Sequence, residues 1–245
     1  MKEGKITLFF WPTPNCYKVS ILLEELEVPY DIYPIHIGKG EQFASSFLEL
    51  NPHGKVPVIT DTLDTKRQIS VFESGAILLY LAEKYNQFLE TETTTKLDVI
   101  QWLMFQMGNV GPMLGQAHHF RHYAKETVAY AIERYTNEAS KVYAVLDAQL
   151  SKSQYLAGTD YSIADIAVYP WLRPQKLQGQ DISKHPNIQR WYNSIRKRPA
   201  VQRGLSVMNE KISKSGQKPE GDAWQTLFGG PSATNTSKNQ KVNKP

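Results

Sequence analysis

The stretch Phe10-Trp11-Pro12-Thr13-Pro14-Asn15-Cys16-Tyr17-Lys18 joins an apolar run, Ile6 to Trp11, to a helical pattern with almost no loop between them. A helix that starts at Thr13-Pro14-Asn15 aims unpaired backbone N–H groups and the positive end of its dipole past the strand tip. That is a place for an anion or a thiolate. Thr13-Pro14-Asn15-Cys16 also has the frame of the redox tetrapeptide Cys-Pro-x-Cys, with Thr where the first, nucleophilic cysteine would stand. A thiol at this site therefore has to come from outside the chain. Cys16, the single cysteine of the sequence, occupies the position of the second, resolving thiol. Two readings of it stay open: a small apolar core residue inside the first helical turn, or a thiol activated by the helix N-terminus.

Working outward, residues 1–88 alternate between strand-like and helix-like periodicity. Ile6 to Phe10 predicts a strand, Val19, Leu22, Leu23 and Leu26 mark a helix face, and Tyr30 to Ile35 predicts a second strand. After Gly38-Lys39-Gly40 a short helical stretch carries Phe43, Phe47 and Leu48, and Asn51-Pro52-His53-Gly54 reads as a turn. Val56 to Thr60 and Ile69 to Phe72 are expected to form a hairpin, and a helix from Ser74 closes the unit with Ile77, Leu78, Tyr80 and Leu81. The order β-α-β-α-β-β-α is that of a thioredoxin-like domain, an α/β unit.

From Thr95 the pattern is helical throughout, so residues 95–205 read as a second, all-α domain. Val99, Leu103, Met107 and Val110 form one stripe, broken by Gly108, Gly111-Pro112 and Gly115, where proline is expected to kink the helix. A long helix from about Glu126 to Leu150 places Tyr135, Ala139, Val142 and Leu146 at core spacing. Ser162-Ile163-Ala164-Asp165 reads as a capping box with Asp in place of the usual Glu or Gln, a structural motif without chemistry. Residues 206–245 turn polar, with one apolar island, Trp224, Leu227 and Phe228, at the spacing of a single helical turn. That island either docks back on the body or belongs to a disordered tail.

Charge narrows the function. Three of the four units of net positive charge lie in the tail, since the body up to Leu205 carries 22 basic and 21 acidic residues. A neutral body argues against a nucleic-acid footprint. No window approaches the roughly 20 apolar residues of a membrane span, and Ile6 to Trp11 is too short for the core of a secretory signal. With one cysteine no intrachain disulfide forms, which fits a cytoplasmic, reducing setting.

Two further elements carry chemistry. At Phe72-Glu73-Ser74-Gly75-Ala76-Ile77 a strand again turns tightly into a helix, with Ser74 expected to cap it. The first-turn N–H groups suit a carboxylate, and Glu73 offers a counter-charge for an ammonium, together matching an α-amino-acid head group. The competing reading of Ser74 is a purely structural cap. Lys55-Val56-Pro57 suggests a cis proline before a strand, which would leave the Val56 backbone free to pair with an extended peptide. His118, His119 and His122 bring the i, i+4 spacing of a metal site but no third ligand of known spacing, so no metal is expected and a cleft lining or solvated face is preferred.

Pro12-Thr13-Pro14-Asn15, Gly38-Lys39-Gly40-Glu41-Gln42-Phe43, Lys55-Val56-Pro57, Phe72-Glu73-Ser74-Gly75-Ala76-Ile77-Leu78-Leu79-Tyr80-Leu81-Ala82, Gly111-Pro112-Met113-Leu114-Gly115-Gln116 and Ser162 to Asp165 together resemble the glutathione transferases over residues 5–205. The resemblance is strongest to the nu-class, disulfide-bond-reductase branch. It implies an N-terminal thioredoxin-like domain followed by an all-helical C-terminal glutathione-transferase domain, and glutathione as cosubstrate. It also implies that Glu73 and Ser74 hold the γ-glutamyl end, that Val56 pairs with the cysteinyl backbone, and that Gln42 and Lys55 reach the glycyl end. Thr13 and Asn15 would stand beside the sulfur as catalytic residues, and Arg134 near bound glutathione, unless Arg134 is an ordinary surface residue paired with Glu133 or Glu138. The expected protein is a homodimer, with Gly108 to Gly115 near its two-fold, that uses the glutathione thiolate on small disulfides or electrophiles. The alternative is a non-catalytic glutathione-binding regulator that binds a protein partner.

Overall fold

The computed structural model describes residues 5–64, 67–209 and 218–229. Strand β1 (Ile6–Phe10) buries Ile6, Leu8 and Phe10 completely on one face, as the two-residue repeat of a strand dictates. Helix α1 (Pro14–Glu25) follows with Pro14 in its first turn, where the missing N–H is no loss. Strand β2 (Tyr30–Pro34) returns parallel to β1. Strands β3 (Val58–Asp64) and β4 (Arg67–Phe72) form an antiparallel hairpin, and β3 also pairs antiparallel with β1, giving the order β2-β1-β3-β4.

One face of this sheet is covered by α1 and by α3 (Ser74–Tyr85), whose Val19, Leu22, Leu23, Ile77, Leu78 and Leu81 join Ile6 and Leu8 in the main core. The other face is covered by the single turn α2 (Ser45–Leu48), which sets Phe47 against Ile35 and Val58. Each such side chain contributes about 1.5 to 3 kcal/mol on burial, so the thicker layer over α1 and α3 dominates the stability of this half.

The second half is helical. Helix α4 (Thr93–Phe105) continues through a π turn at Gln106–Val110 into α5 (Gly111–His118), which ends in another π turn at His119–Tyr123. The expected proline kink is absent in that form: Pro112 lies in the first turn of α5, and the irregularity is the π turn before it. Helix α6 (Ala129–Leu150) starts three residues later than its sequence pattern suggests and buries Ala139, Val142 and Leu146. Then come α7 (Ile163–Leu172), α8 (Pro186–Arg196) and α9 (Pro199–Ser206).

Helix α1 joins the halves. Gly204 on α9 comes so close that a Cβ there would lie 2.7 Å from the Cα of Ile21, and the Ser20 hydroxyl donates to the Gly204 carbonyl at 2.8 Å. A short last helix, α10 (Gly221–Phe228), lies between a 3-10 turn at Ile37–Lys39 and the π turn at His119–Tyr123. Trp224 Nε1 donates to the Tyr123 carbonyl at 2.7 Å, and the Phe228 ring lies 4.8 Å from that of His119. Trp224, Leu227 and Phe228 are all half-buried.

Candidate functional site

Between the two halves opens a cleft of about 510 Å³, bounded by the starts of α1 and α3, the segment before β3, the first π turn and α7. Its floor is set by α1. Thr13, in extended conformation, caps this helix by accepting from the Cys16 N–H at 3.3 Å. Asn15 Oδ1 accepts from Trp171 Nε1 at 2.9 Å, which fixes the amide and leaves its NH₂ group to donate into the cleft. Asn15 lines the cleft, whereas Thr13, half-buried, is not among its lining residues.

Cys16 is fully buried, and burial pushes its thiol up to about 12, outweighing the opposing pull of the Thr13 and Trp11 hydrogen bonds and of the Lys18 charge. Of the two readings of this cysteine, the structure supports the small apolar core residue. It is no nucleophile in this conformation.

The second wall is the start of α3. Here the sequence-based expectation needs correcting: the cap position belongs to Glu73, held at φ 68°, and Ser74 is the first helical residue. The Glu73 side chain makes no capping bond, so the first turn of α3 is not closed by its own cap residue. A bulky residue at positive φ is strained. Ser74 is 3% exposed and its hydroxyl lines the cleft.

Lys55 and Val56 form a third wall, with a cis bond between Val56 and Pro57. Buried Asn51, read from the sequence only as part of a turn, braces this wall by donating to the Lys55 carbonyl at 2.7 Å and accepting from the His53 N–H at 3.0 Å.

Two expected site residues lie elsewhere. Gln42 is buried, with its Nε2 donating to the Ile37 carbonyl at 3.1 Å, and it lies behind Gly54 rather than in the cleft lining. Arg134 sits on α6 in a separate hollow of about 270 Å³ with Tyr130, Glu133 and Lys141. Within one chain it does not reach the cleft.

The structure also brings in residues that the sequence did not single out. Lys18 is fully buried and lines the cleft, donating to Ser74 Oγ at 3.2 Å and to Gln106 Oε1 at 2.5 Å. Burial lowers its pKa to about 7. A signal was available: Lys18 stands four residues before Leu22, on a helix face otherwise apolar. Gln106, Gln116 and Trp171 complete the opposite wall.

His118 and His122 face each other with ring centroids 5.6 Å apart, and burial lowers His118 to about 4. Among the described residues no group of three or more His, Cys, Asp or Glu side chains is placed to hold a metal.

Comparison with known proteins agrees with this architecture. The family model for the glutathione S-transferase N-terminal domain matches residues 4–83, and that for the C-terminal domain matches residues 110–199. The chain is 46% identical over 202 residues to the disulfide-bond oxidoreductase YfcG of Escherichia coli, covering 82% of this chain and 94% of that protein. It is 41% identical over 216 residues to the disulfide-bond oxidoreductase YghU of the same organism, covering 82% and 74%. A solved glutathione transferase family member from Pseudomonas fluorescens, with two glutathione molecules bound, superimposes with a TM-score of 0.77 at 40% identity, over 82% of this chain and 92% of that one. A thioredoxin-like half, a helical half and this extent of identity place the chain in the glutathione S-transferase family, among relatives that include disulfide-bond oxidoreductases.

Proposed function

We propose that the protein is a glutathione-dependent disulfide-bond reductase that works with the thiolate of bound glutathione. The observation that carries this reading is a cleft built around two helix starts that contains no usable thiol of its own, since Cys16 is sealed in the core. The names of the relatives, and the glutathione in the Pseudomonas fluorescens structure, support the ligand and the reaction class.

The residues present fit the tripeptide. The open first turn of α3 and the Ser74 hydroxyl receive the γ-glutamyl carboxylate, with Glu73 facing its ammonium. The Val56 backbone pairs with the cysteinyl residue in strand fashion, and Lys55 meets the glycyl carboxylate. Asn15 donates its NH₂ to the sulfur, while Thr13 keeps the start of α1 in shape. Once bound, glutathione supplies a thiolate that displaces one sulfur of a disulfide, and a second glutathione releases the mixed disulfide, leaving glutathione disulfide and two product thiols. Gln42 buttresses the Lys55 wall from behind, and Arg134 reaches the ligand only through assembly into the expected homodimer.

The test is reduction of 2-hydroxyethyl disulfide by glutathione. Steady turnover is expected, with Asn15→Ala lowering it about 10- to 100-fold by removing a hydrogen bond to a charged sulfur, worth about 1.5 to 3 kcal/mol. Tight glutathione binding without turnover of this or of an electrophilic substrate would favour the regulator instead. A monomeric mass by light scattering at micromolar concentration would remove the dimeric role of Arg134.

A further inference from the structure

Lys18 has no place in the reaction just described, yet it is one of the least ordinary residues of the molecule. Its ammonium is completely buried in the wall of the cleft, and among the described residues no carboxylate lies within ion-pair distance of it. Its partners are neutral: Ser74 Oγ at 3.2 Å, Gln106 Oε1 at 2.5 Å and the Met107 sulfur at 3.7 Å. A buried cation without a counter-ion is costly. The residues around it are left incomplete too. Gln106 is fully buried, lines the same cleft, and has no partner for its Nε2. The Ser74 hydroxyl receives from Lys18, so its hydrogen points elsewhere, and the acceptor it finds is the weak Met107 sulfur at 3.8 Å. At the first turn of α3, one residue away, the cap residue Glu73 makes no capping bond. A buried ammonium, an orphaned amide, an uncommitted hydroxyl and an open helix start thus converge on one corner of the cleft.

We propose that Lys18 is a positioning residue that acts through Ser74: its buried charge is neutralised by a ligand carboxylate seated at the start of α3, and it thereby selects ligands that carry that carboxylate. This rests on the glutathione reading and specifies which end of the ligand the corner recognises. By donating to Ser74 Oγ, Lys18 takes up one of its lone pairs and leaves the hydroxyl hydrogen, now on the weak Met107 sulfur, available to turn toward a carboxylate. Glu73 acts on Lys18 only at a distance, and the direct ion-pair partner that Lys18 lacks among the described residues arrives with the ligand.

Binding is then linked to a proton. The titratable groups acting on Lys18 are Glu73 ahead of α3 and Cys16 on its own helix, the latter neutral because burial holds its thiol near 12, while the π turn presents only neutral Gln106 and Met107. In the free protein the ammonium deprotonates near pH 7, and a bound carboxylate favours the charged form. Above pH 7 the ligand is therefore expected to bind with uptake of a proton by Lys18, and affinity falls as pH rises.

The experiment is calorimetry with S-methylglutathione, whose blocked thiol cannot contribute a proton, and with the same compound bearing a carboxamide in place of the γ-glutamyl α-carboxylate. Titrations at pH 8 in buffers of differing ionisation enthalpy report the proton. The unaltered protein is expected to prefer the acid over the amide by about 30-fold or more and to take up close to one proton with the acid; the amide's own amine, which titrates at about pH 8, sets a baseline that is the same in the unaltered protein and in Lys18→Met. In Lys18→Met, a replacement of similar size and no charge, the preference should shrink at least tenfold, through loss of affinity for the acid, and the proton uptake should vanish. An unchanged acid-to-amide preference in Lys18→Met, or acid binding by the unaltered protein without proton uptake, overturns the assignment of Lys18 and leaves the glutathione reading standing. If the unaltered protein binds neither glutathione nor S-methylglutathione, the glutathione reading fails and this assignment falls with it.

Discussion

The starts of α7 and α3 use similar residues to opposite ends. At α7 the chain closes on itself: Ser162 Oγ accepts from the Ala164 N–H at 3.3 Å, and buried Asp165 accepts from the Leu156 and Ser162 N–H groups, the Ser162 hydroxyl and Trp191 Nε1, all within 3.2 Å. Burial lifts the Asp165 carboxyl to about 6 against the opposing pull of these four donors, so the group is mostly charged at neutral pH and its partners are all within the protein. At α3 the corresponding groups are left open, with a serine one position past the cap, a strained glutamate at the cap, and a lysine without its anion. A helix start that satisfies itself holds a fold together. One that does not leaves its polar groups open to a partner from outside.

Substitutions at the two ends should separate stability from binding. Asp165→Ala strands several buried donors and is expected to destabilise the protein by about 3 to 5 kcal/mol in denaturant unfolding, with glutathione affinity of the folded fraction unchanged. A loss of affinity matching Ser74→Ala would erase the distinction. Ser74→Ala is expected to weaken glutathione binding by tenfold or more in calorimetry, while unfolding free energy changes by no more than about 1 kcal/mol, since no cap is lost.

The unliganded protein offers a pH test of the open end. Lys18 has its pKa lowered to about 7 in the folded state from 10.5, so between those values the unfolded chain binds more protons and stability rises with pH. Cys16 acts in the opposite sense once pH passes 9, because its thiol is raised to about 12 in the folded state. The clean window is therefore pH 7 to 9, where thermal melts should show a gain of about 1 to 2 kcal/mol that Lys18→Met abolishes. The smallest expected effect lies outside both ends. Trp224→Ala removes the bond to the Tyr123 carbonyl and the contact with Lys125, 4.0 Å from the ring, and should lower the melting temperature by about 2 to 4 °C.

What could be read from the sequence was what is local along the chain. The alternation in Ile6 to Phe10, the 3.6-residue spacing of Val19, Leu22 and Leu23, and the box at Ser162 and Asp165 each encode their element within a few residues, and each lies where its pattern puts it. The site is built from contacts that local patterns do not carry. Lys18 meets Gln106 across 88 positions, and Asn15 meets Trp171 across 156. Ser74 was recognised by type but misplaced by one position, because only the positive φ of Glu73 shows where the cap falls. Gln42 turns its amide to the Ile37 carbonyl, an orientation set by the packing of the short turns around Gly54.

The sealing of Cys16 reaches beyond the geometry of the cleft. Peroxide and alkylating reagents attack thiolates, and the single cysteine of this chain is buried completely with its proton held tightly. In this conformation the protein consequently exposes no cysteine to oxidation and keeps no cysteine-based memory of it. Under the proposed reaction the only thiols consumed are those of glutathione, entering once as nucleophile and once as resolving thiol, so turnover follows the supply of reduced glutathione and of disulfide and not the redox state of a protein sulfur.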